Sequence, residues 1–172
     1  MRRLATWFLA IVLLSPSAAA GQGKAAPTLL DRLVGRWVMR GDIAGQQTVH
    51  DVQADLVLNR GYVRLHEVSR EKDKTGAPAY EAIVFVSADE KTGEYNLLWL
   101  DTTSHEGLTG NGIGHGKASG NSIPFVLFPG TASEFHTTFV YDPAADTWKW
   151  IMDGITDGKP HAFARLTLTR RR

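Results

Sequence analysis

Basic side chains interrupt the aromatic faces of two segments with strand-like alternation. Arg64 and His66 share one side of such a segment with Tyr62, and Arg165 shares a side with Phe163 near the end of the chain. A guanidinium group facing an apolar cavity would suit a carboxylate or another anion, because it donates two parallel hydrogen bonds. If these sides point inward, the residues predict an anion-binding group inside a cavity.

Structural alternatives stay open for the same residues. A register shift of one residue moves every side chain of a strand to its opposite face, so the direction of Arg64 and His66 is not decided by the alternation alone. Arg165 has a second possible role, in which it packs over Trp37 and plugs one end of the molecule. In that role the arginine is structural.

Aromatic residues make up a large part of the apolar composition. Trp148, Trp150 and Met152 share one face of a predicted strand. Such side chains usually form the core of a protein, and they also line most ligand pockets. We therefore expect an aromatic interior with a few convergent polar groups. The candidate ligand-binding residues are Tyr62, Arg64, His66, Trp99, Phe135, His136, Trp150 and Arg165.

Histidines beside a glycine-rich segment are candidates for a metal or heme site. His105 and His115 flank this segment, with Asp101 and Glu106 close to them in the sequence. The ten-residue gap between the histidines fixes no ligand geometry, and solvated histidines on a flexible rim loop are the simpler interpretation. We predict no metal ion and keep heme as an alternative cofactor.

The known catalytic motifs are incomplete in this sequence. Gly116 and Lys117 resemble the end of a phosphate-binding loop, but Asn111 stands where the first glycine belongs and Ala118 replaces the hydroxyl residue. A serine nucleophile elbow is missing, and a chain without cysteine has neither thiol chemistry nor disulfides. No catalytic residue is therefore predicted from a motif.

The first twenty residues have the pattern of a secretory signal peptide. Arg2 and Arg3 precede an apolar stretch from Leu4 to Leu14 and the small residues Ala18–Ala20, as in peptides that are removed on export. The apolar stretch is shorter than the roughly 20 residues of a spanning helix. We expect cleavage after residue 20, a flexible leader over residues 21–27, and a periplasmic or secreted protein without a membrane span.

The charge of the remaining chain argues against nucleic-acid binding. Without Arg2 and Arg3, 17 basic residues stand against 18 acidic ones. Three of the basic residues are the terminal Arg170–Arg172, which we expect to form a short exposed tail. Nucleic-acid binding needs clustered lysine and arginine over one face. The expected partner is a small molecule, and the oligomeric state is not predicted.

Short β-rich segments fill residues 28–170 after one predicted turn of helix. Thr28 and Asp31 form a capping pattern for this helix, which should stop near Gly35. About ten segments rich in β-branched and aromatic residues follow, separated by turn residues at intervals of roughly 8–12 residues. We predict one all-β domain, a single antiparallel up-and-down barrel of about ten strands, because closure removes unpaired sheet edges.

Two features qualify this prediction. The segment from Gly107 to Lys117 is the weakest strand, since its five glycines remove side chains that would pack. A membrane-spanning barrel is the competing closed form, but Asp51, Asp55 and Arg64 place charge in the middle of strands that lipid would have to cover. The sequence therefore favours a barrel in water.

Several short motifs resemble those of a known fold family. Gly35-Arg36-Trp37 resembles the G-x-W opening of the lipocalin and calycin barrels, with Arg165 on the last strand where those folds often place an arginine over the tryptophan. Asn59 to Val63, Thr92 to Tyr95 and Trp99 to Asp101 are similar to segments of an exported bacterial family of unknown function with a lipocalin-like barrel. The similarity extends over residues 29–170.

The resemblance implies a shape shared with fatty-acid-binding proteins and heme-binding nitrobindin-like domains, and it implies no activity. Fatty-acid binders hold a carboxylate with an Arg-x-Tyr pair, whereas this chain has Thr167 two residues after Arg165. His136 and His161 are the candidates for a heme ligand.

Three functions follow as expectations. The first is an exported protein that binds a small hydrophobic or amphipathic molecule in the barrel. The second is an interaction or structural module without a cavity, which would present an exposed apolar patch. The third is a heme-binding or enzymatic barrel, in which His66 or His136 would act as the base from a cleft with a polar partner. Enzymatic activity is the less favoured reading.

Overall fold

The structure is a computed structural model that describes residues 28–89, 91–103 and 112–171. One helix and ten strands follow each other along this part of the chain. They are α1 (Leu29–Leu33), β1 (Gly35–Ile43), β2 (Gln46–Val57), β3 (Tyr62–Ser69), β4 (Glu81–Asp89), β5 (Glu94–Asp101), β6 (Ile113–Lys117), β7 (Ser122–Leu127), β8 (Phe135–Asp142), β9 (Thr147–Thr156) and β10 (Lys159–Arg170).

The helix α1 begins with the predicted capping box. The hydroxyl of Thr28 accepts a hydrogen bond from the backbone N–H of Asp31, and the Asp31 carboxylate accepts one from the backbone N–H of Thr28. These bonds satisfy N–H groups that have no partner within the helix. Leu33 at the other end of α1 is buried, which anchors the helix against the barrel.

The strands form one closed antiparallel barrel. Each strand pairs with its neighbours in the sequence, and β10 returns to pair with β1 across the register Trp37 to Arg170. The predicted all-β up-and-down barrel of about ten strands is therefore confirmed. No helix in the described residues has the length and apolar character needed to cross a membrane.

An up-and-down barrel places successive connections at alternate ends, and the two ends of this barrel differ. At the closed end, α1 lies beside Trp37 and Arg170. At the open end, which carries the β1–β2, β3–β4 and β7–β8 connections, the interior is accessible. The helix α1 and the strand β10 thus close one end of the barrel, and the other end stays open.

Apolar side chains decide which face of each strand points inward. On β3 the buried residues are Val63, Leu65, Glu67 and Ser69, so Arg64 and His66 point outward. The same alternation buries Thr137, Phe139 and Tyr141 on β8, and Ala164, Leu166 and Leu168 on β10. A β-bulge between Ala162 and Ala164 interrupts the regular pairing of β10 with β9.

Part of the glycine-rich segment forms a strand. The strand β6 covers Ile113–Lys117, and residues 107–111 of the predicted strand lie outside the described residues. Gly116 faces β7 so closely that a Cβ atom there would lie 1.6 Å from the Pro124 carbonyl oxygen. Here the glycine allows the two backbones to approach.

Candidate functional site

A cavity of about 470 Å³ opens at the open end of the barrel. Cavities of this size hold drug-sized molecules in other proteins. Its apolar wall is contributed by six strands or their adjoining loops and consists of Ile43, Trp99, Leu127, Phe128, Phe135, Met152 and Phe163. Its polar wall includes Thr48, His50, Glu67, Ser69, Tyr80 and Asp101.

His50 and Glu67 form a buried pair on the polar wall. Their side chains are only 3% and 2% exposed, and His50 Nδ1 and Glu67 Oε1 share a hydrogen bond. The second ring nitrogen of His50, Nε2, lies 2.7 Å from the Thr48 hydroxyl. Both nitrogens of the imidazole are therefore engaged.

Glu67 keeps one oxygen without a partner. Within the part of the chain that the structure describes, its buried Oε2 atom has no hydrogen-bond partner. Burial raises the pKa of the Glu67 carboxyl, while the hydrogen bond with His50 opposes this rise. An unsatisfied carboxylate oxygen in such a place is costly, and a donor from a bound molecule would relieve the cost.

Tyr80 connects two more polar groups at the cavity. Its hydroxyl donates to Asp101 Oδ2 at 3.2 Å and accepts from the indole N–H of Trp99 at 3.1 Å. The Tyr80 ring stacks on His50 with centroids 5.8 Å apart. Burial and the nearby charges of Glu67 and Asp101 raise the pKa of Tyr80, so the phenol remains a neutral donor.

Carboxylates dominate the charge of the cavity wall. Glu67, Glu71 and Asp101 line it, and His50 is the one basic side chain among the described lining residues. Lysine and arginine are absent from that lining. The cavity is thus an apolar space with an acidic polar wall.

The other half of the barrel is filled by aromatic packing. Trp150 stacks on Phe139 with centroids 4.5 Å apart and contacts Trp99 at 5.1 Å, and its indole N–H donates to Thr137. Trp148 packs edge-to-face on Phe139. Trp99 therefore stands between the packed core and the cavity.

Two of the eight predicted site residues line the cavity. Trp99 and Phe135 belong to its wall, and Trp150 lies behind Trp99 in the packed core. The other five lie on the outward face of their strands or at the rim of the barrel. The structure therefore places these five outside the cavity: Tyr62, Arg64, His66, His136 and Arg165.

Each outward basic residue has an acidic partner nearby. Arg64 pairs with Asp55 at 2.8 Å, and Arg165 pairs with Asp153. The condition for an anion-binding arginine, an inward side chain, is therefore not met by either residue, since apolar neighbours of opposite parity fill the interior.

The two histidines considered as catalytic bases also lie on the outside. His66 pairs with Glu81 at 2.6 Å and His136 with Glu134 at 2.9 Å, and their side chains are 42% and 41% exposed. Neither lines the cavity. An enzymatic barrel that uses one of these histidines as a cavity base is not compatible with this placement.

Arg170, and not Arg165, covers Trp37 at the closed end. Its guanidinium carbon lies 4.0 Å from the centroid of the tryptophan ring. It also donates to Asp146 at 2.6 Å and to the Val34 carbonyl at 3.0 Å. The expectation that Arg170 belongs to an exposed tail is wrong, because β10 continues through it to close the barrel.

The described histidines do not fit an axial heme ligand in the cavity. His50 is the one that lines it, and both its ring nitrogens are hydrogen bonded. His136 and His161 lie outside the cavity.

The histidines beside the glycine-rich segment give no metal site within the described chain. His115 bonds to Asn96 at 2.7 Å on the exposed surface, and His105 and Glu106 lie outside the described residues. Over residues 28–89, 91–103 and 112–171, no group of three possible metal ligands occurs.

The polar wall was not predicted as a site from the sequence. His50 and Glu67 are separated by 17 positions and meet only because β2 and β3 pair. The available signal was that both share the parity of apolar residues, His50 with Val52 and Glu67 with Leu65. A charged residue on a buried face is a functional candidate.

No protein-family model and no curated protein matches this sequence. In fold, the chain is similar to the crystal structure of Rv2717c from M. tuberculosis, with a TM-score of 0.57 and 14% sequence identity. The alignment covers 83% of this chain and 95% of the other. At this identity the likeness establishes a common barrel fold and carries no function.

Proposed function

We propose that this protein binds a small amphipathic molecule in the cavity at the open end of its barrel. The observation that carries the proposal is the combination of an aromatic cavity of about 470 Å³ with a buried, incompletely satisfied polar group, Glu67, on its wall. Ligand sites typically have this composition, in which apolar walls supply affinity and a few polar groups fix orientation.

A fluorescence titration with the neutral apolar probe N-phenyl-1-naphthylamine tests this proposal. Ala79 is an exposed residue on the cavity wall, in the loop between β3 and β4. The substitution Ala79→Trp places a large ring at this position and should obstruct the cavity. We expect it to weaken probe binding by about tenfold or more, since occupied volume is lost to the ligand.

Ala77→Trp is the matched control for this experiment. Ala77 is exposed in the same loop and does not belong to the cavity wall. We expect this variant to bind the probe as the unmodified protein does. Equal binding by all three proteins, or equal weakening by both substitutions, would contradict a ligand site in the cavity.

A further inference from the structure

The charge of the cavity wall selects among amphipathic ligands. Three carboxylates, Glu67, Glu71 and Asp101, line the cavity, and the described lining contains no lysine or arginine. The one basic group, His50, is already paired with Glu67. A ligand that brings a negative head would meet like charge without a compensating cation, which is unfavourable.

The hydrogen-bonding pattern points in the same direction. His50 has both ring nitrogens engaged, and the Tyr80 hydroxyl both donates and accepts. On this polar wall the Oε2 atom of Glu67 is buried and unpartnered within the described residues. The hydrogen bond with His50 favours the ionised form of Glu67 against the effect of burial on its pKa, and in that form Oε2 accepts hydrogen bonds, so a donor satisfies it.

Aromatic rings close to this acceptor also favour a cation. Two aromatic side chains, Tyr80 and Trp99, line the same cavity as Glu67 and Asp101. A protonated amine gains energy from such ring faces in addition to its hydrogen bonds. A carboxylate gains nothing comparable there.

Resting on the proposed function, we infer that the ligand of the cavity is a small apolar molecule with a protonated amine as its head group, and that Glu67 receives this head. The apolar body lies against the wall that Phe128, Phe135 and Phe163 contribute. This assignment differs from the anion expected for an inward arginine, because Arg64 and Arg165 point away from the cavity.

Calorimetric titration with octylamine, octanol and octanoate tests the inference. The three probes have the same apolar chain and differ in the charge of the head group at about pH 7. We expect octylamine to bind at least about tenfold more tightly than octanoate, with octanol between them. An octanoate affinity equal to or greater than that of octylamine would overturn the inference while leaving a ligand cavity in place.

Two substitutions locate the source of the preference. Glu67→Gln keeps the shape of the side chain and removes its charge, so the ratio of octylamine to octanoate affinity should fall at least about fivefold, a smaller change than loss of all wall charge. Glu81→Gln removes a carboxylate from the outer face, where it pairs with His66, and should leave the ratio unchanged. An unchanged ratio in Glu67→Gln contradicts the role of Glu67.

Three further outcomes have different meanings. If Glu67→Gln does not fold, the order of the three affinities in the unmodified protein still decides the charge preference. If none of the three probes binds, and N-phenyl-1-naphthylamine does not bind either, the proposed function itself fails. If only N-phenyl-1-naphthylamine binds, the cavity is a ligand site and the amine inference is wrong.

Discussion

His50 and Glu67 form a buried polar pair inside the barrel. Both side chains are almost fully buried, and they are hydrogen bonded to each other. Removing one partner of such a pair leaves a buried charge or an unpaired polar group, which costs roughly 3–5 kcal/mol. A buried ion pair contributes little net stability compared with apolar packing, which agrees with the binding role proposed for Glu67.

Arg170 is the residue on which the closed end most depends. It stacks on Trp37 and donates to Asp146 and to two backbone carbonyls. We expect Arg170→Ala to lower the free energy of unfolding by roughly 2 kcal/mol, since a partly exposed guanidinium loses both packing and charge-assisted bonds. Denaturant unfolding near neutral pH measures this change.

The stability lost in Arg170→Ala should depend on pH. The hydrogen bond from Arg170 holds the pKa of Asp146 below its usual range. A lowered folded-state pKa contributes stability that is present above the ordinary aspartate pKa and is lost as the pH falls through the lowered value. The difference between the two proteins should therefore shrink on acidification below about pH 4, leaving the part due to Trp37.

Arg64→Ala is the control for Arg170→Ala. Arg64 forms a surface pair with Asp55 and is 42% exposed. Exposed pairs of this kind contribute roughly 0–1 kcal/mol. Equal destabilisation by the two substitutions would contradict the special position of Arg170.

The individual residues of the site were harder to predict from the sequence than the strands that carry them. The alternation of Arg64 with Val63 and Leu65 separates the two faces of β3 correctly, and the apolar set indicates the inner one. The prediction of an anion-binding arginine depended on these polar residues pointing inward, and the structure places them on the outer face. His50 and Glu67 were not predicted as a site, because their contact depends on the register between β2 and β3, which alternation alone does not define.

At the scale of elements, the backbones of β6 and β7 approach each other closely at Gly116, within the glycine-rich segment. We expect Gly116→Ala to destabilise the protein by roughly 1–3 kcal/mol, because the added Cβ would collide with the Pro124 carbonyl and force the strands apart. Thermal unfolding followed by circular dichroism measures the effect.

Gly154→Ala provides the comparison on another strand, β9. A Cβ atom at Gly154 would meet nothing within 4 Å. We expect a change within about 0.5 kcal/mol of the unmodified protein, as for substitutions that disturb no contact. If Gly154→Ala were as destabilising as Gly116→Ala, the close approach of β6 and β7 would not explain the result.

Elements were predicted more successfully than residues, because turn residues and β-branched runs are local signals. About ten β-rich segments were predicted and ten strands are observed, and the predicted capping pattern at Thr28 begins α1. The bulge beside Phe163 was not predicted. The bulge follows from the pairing of β10 with β9. No local sequence pattern near Phe163 indicates it.

At the scale of the whole molecule, the barrel is divided into a packed half and a hollow half. Trp37, Trp148, Trp150 and Phe139 fill the interior towards the closed end, whereas Trp99 borders the cavity. A barrel filled throughout by tryptophan would have no room for a ligand. Closure of the sheet could be predicted, because it removes unpaired sheet edges. The division of the interior could not be predicted, since it depends on three-dimensional packing.

Export through a signal peptide over residues 1–20 stays a prediction, as does the flexible leader over residues 21–27. If it is correct, the ligand is met outside the cytoplasm. The barrel would then have to hold its cavity open without disulfides.

The indole N–H signals of the tryptophans in a ¹H–¹⁵N spectrum test the central claim most directly. Trp99 borders the cavity, while Trp37 and Trp148 lie in the packed half. During titration with N-phenyl-1-naphthylamine, we expect the Trp99 signal to shift in a saturable manner and the other two to stay in place, since aromatic probes act on nearby nuclei. A stationary Trp99 signal at saturating probe, or equal shifts at all three tryptophans, would contradict a ligand site at the open end.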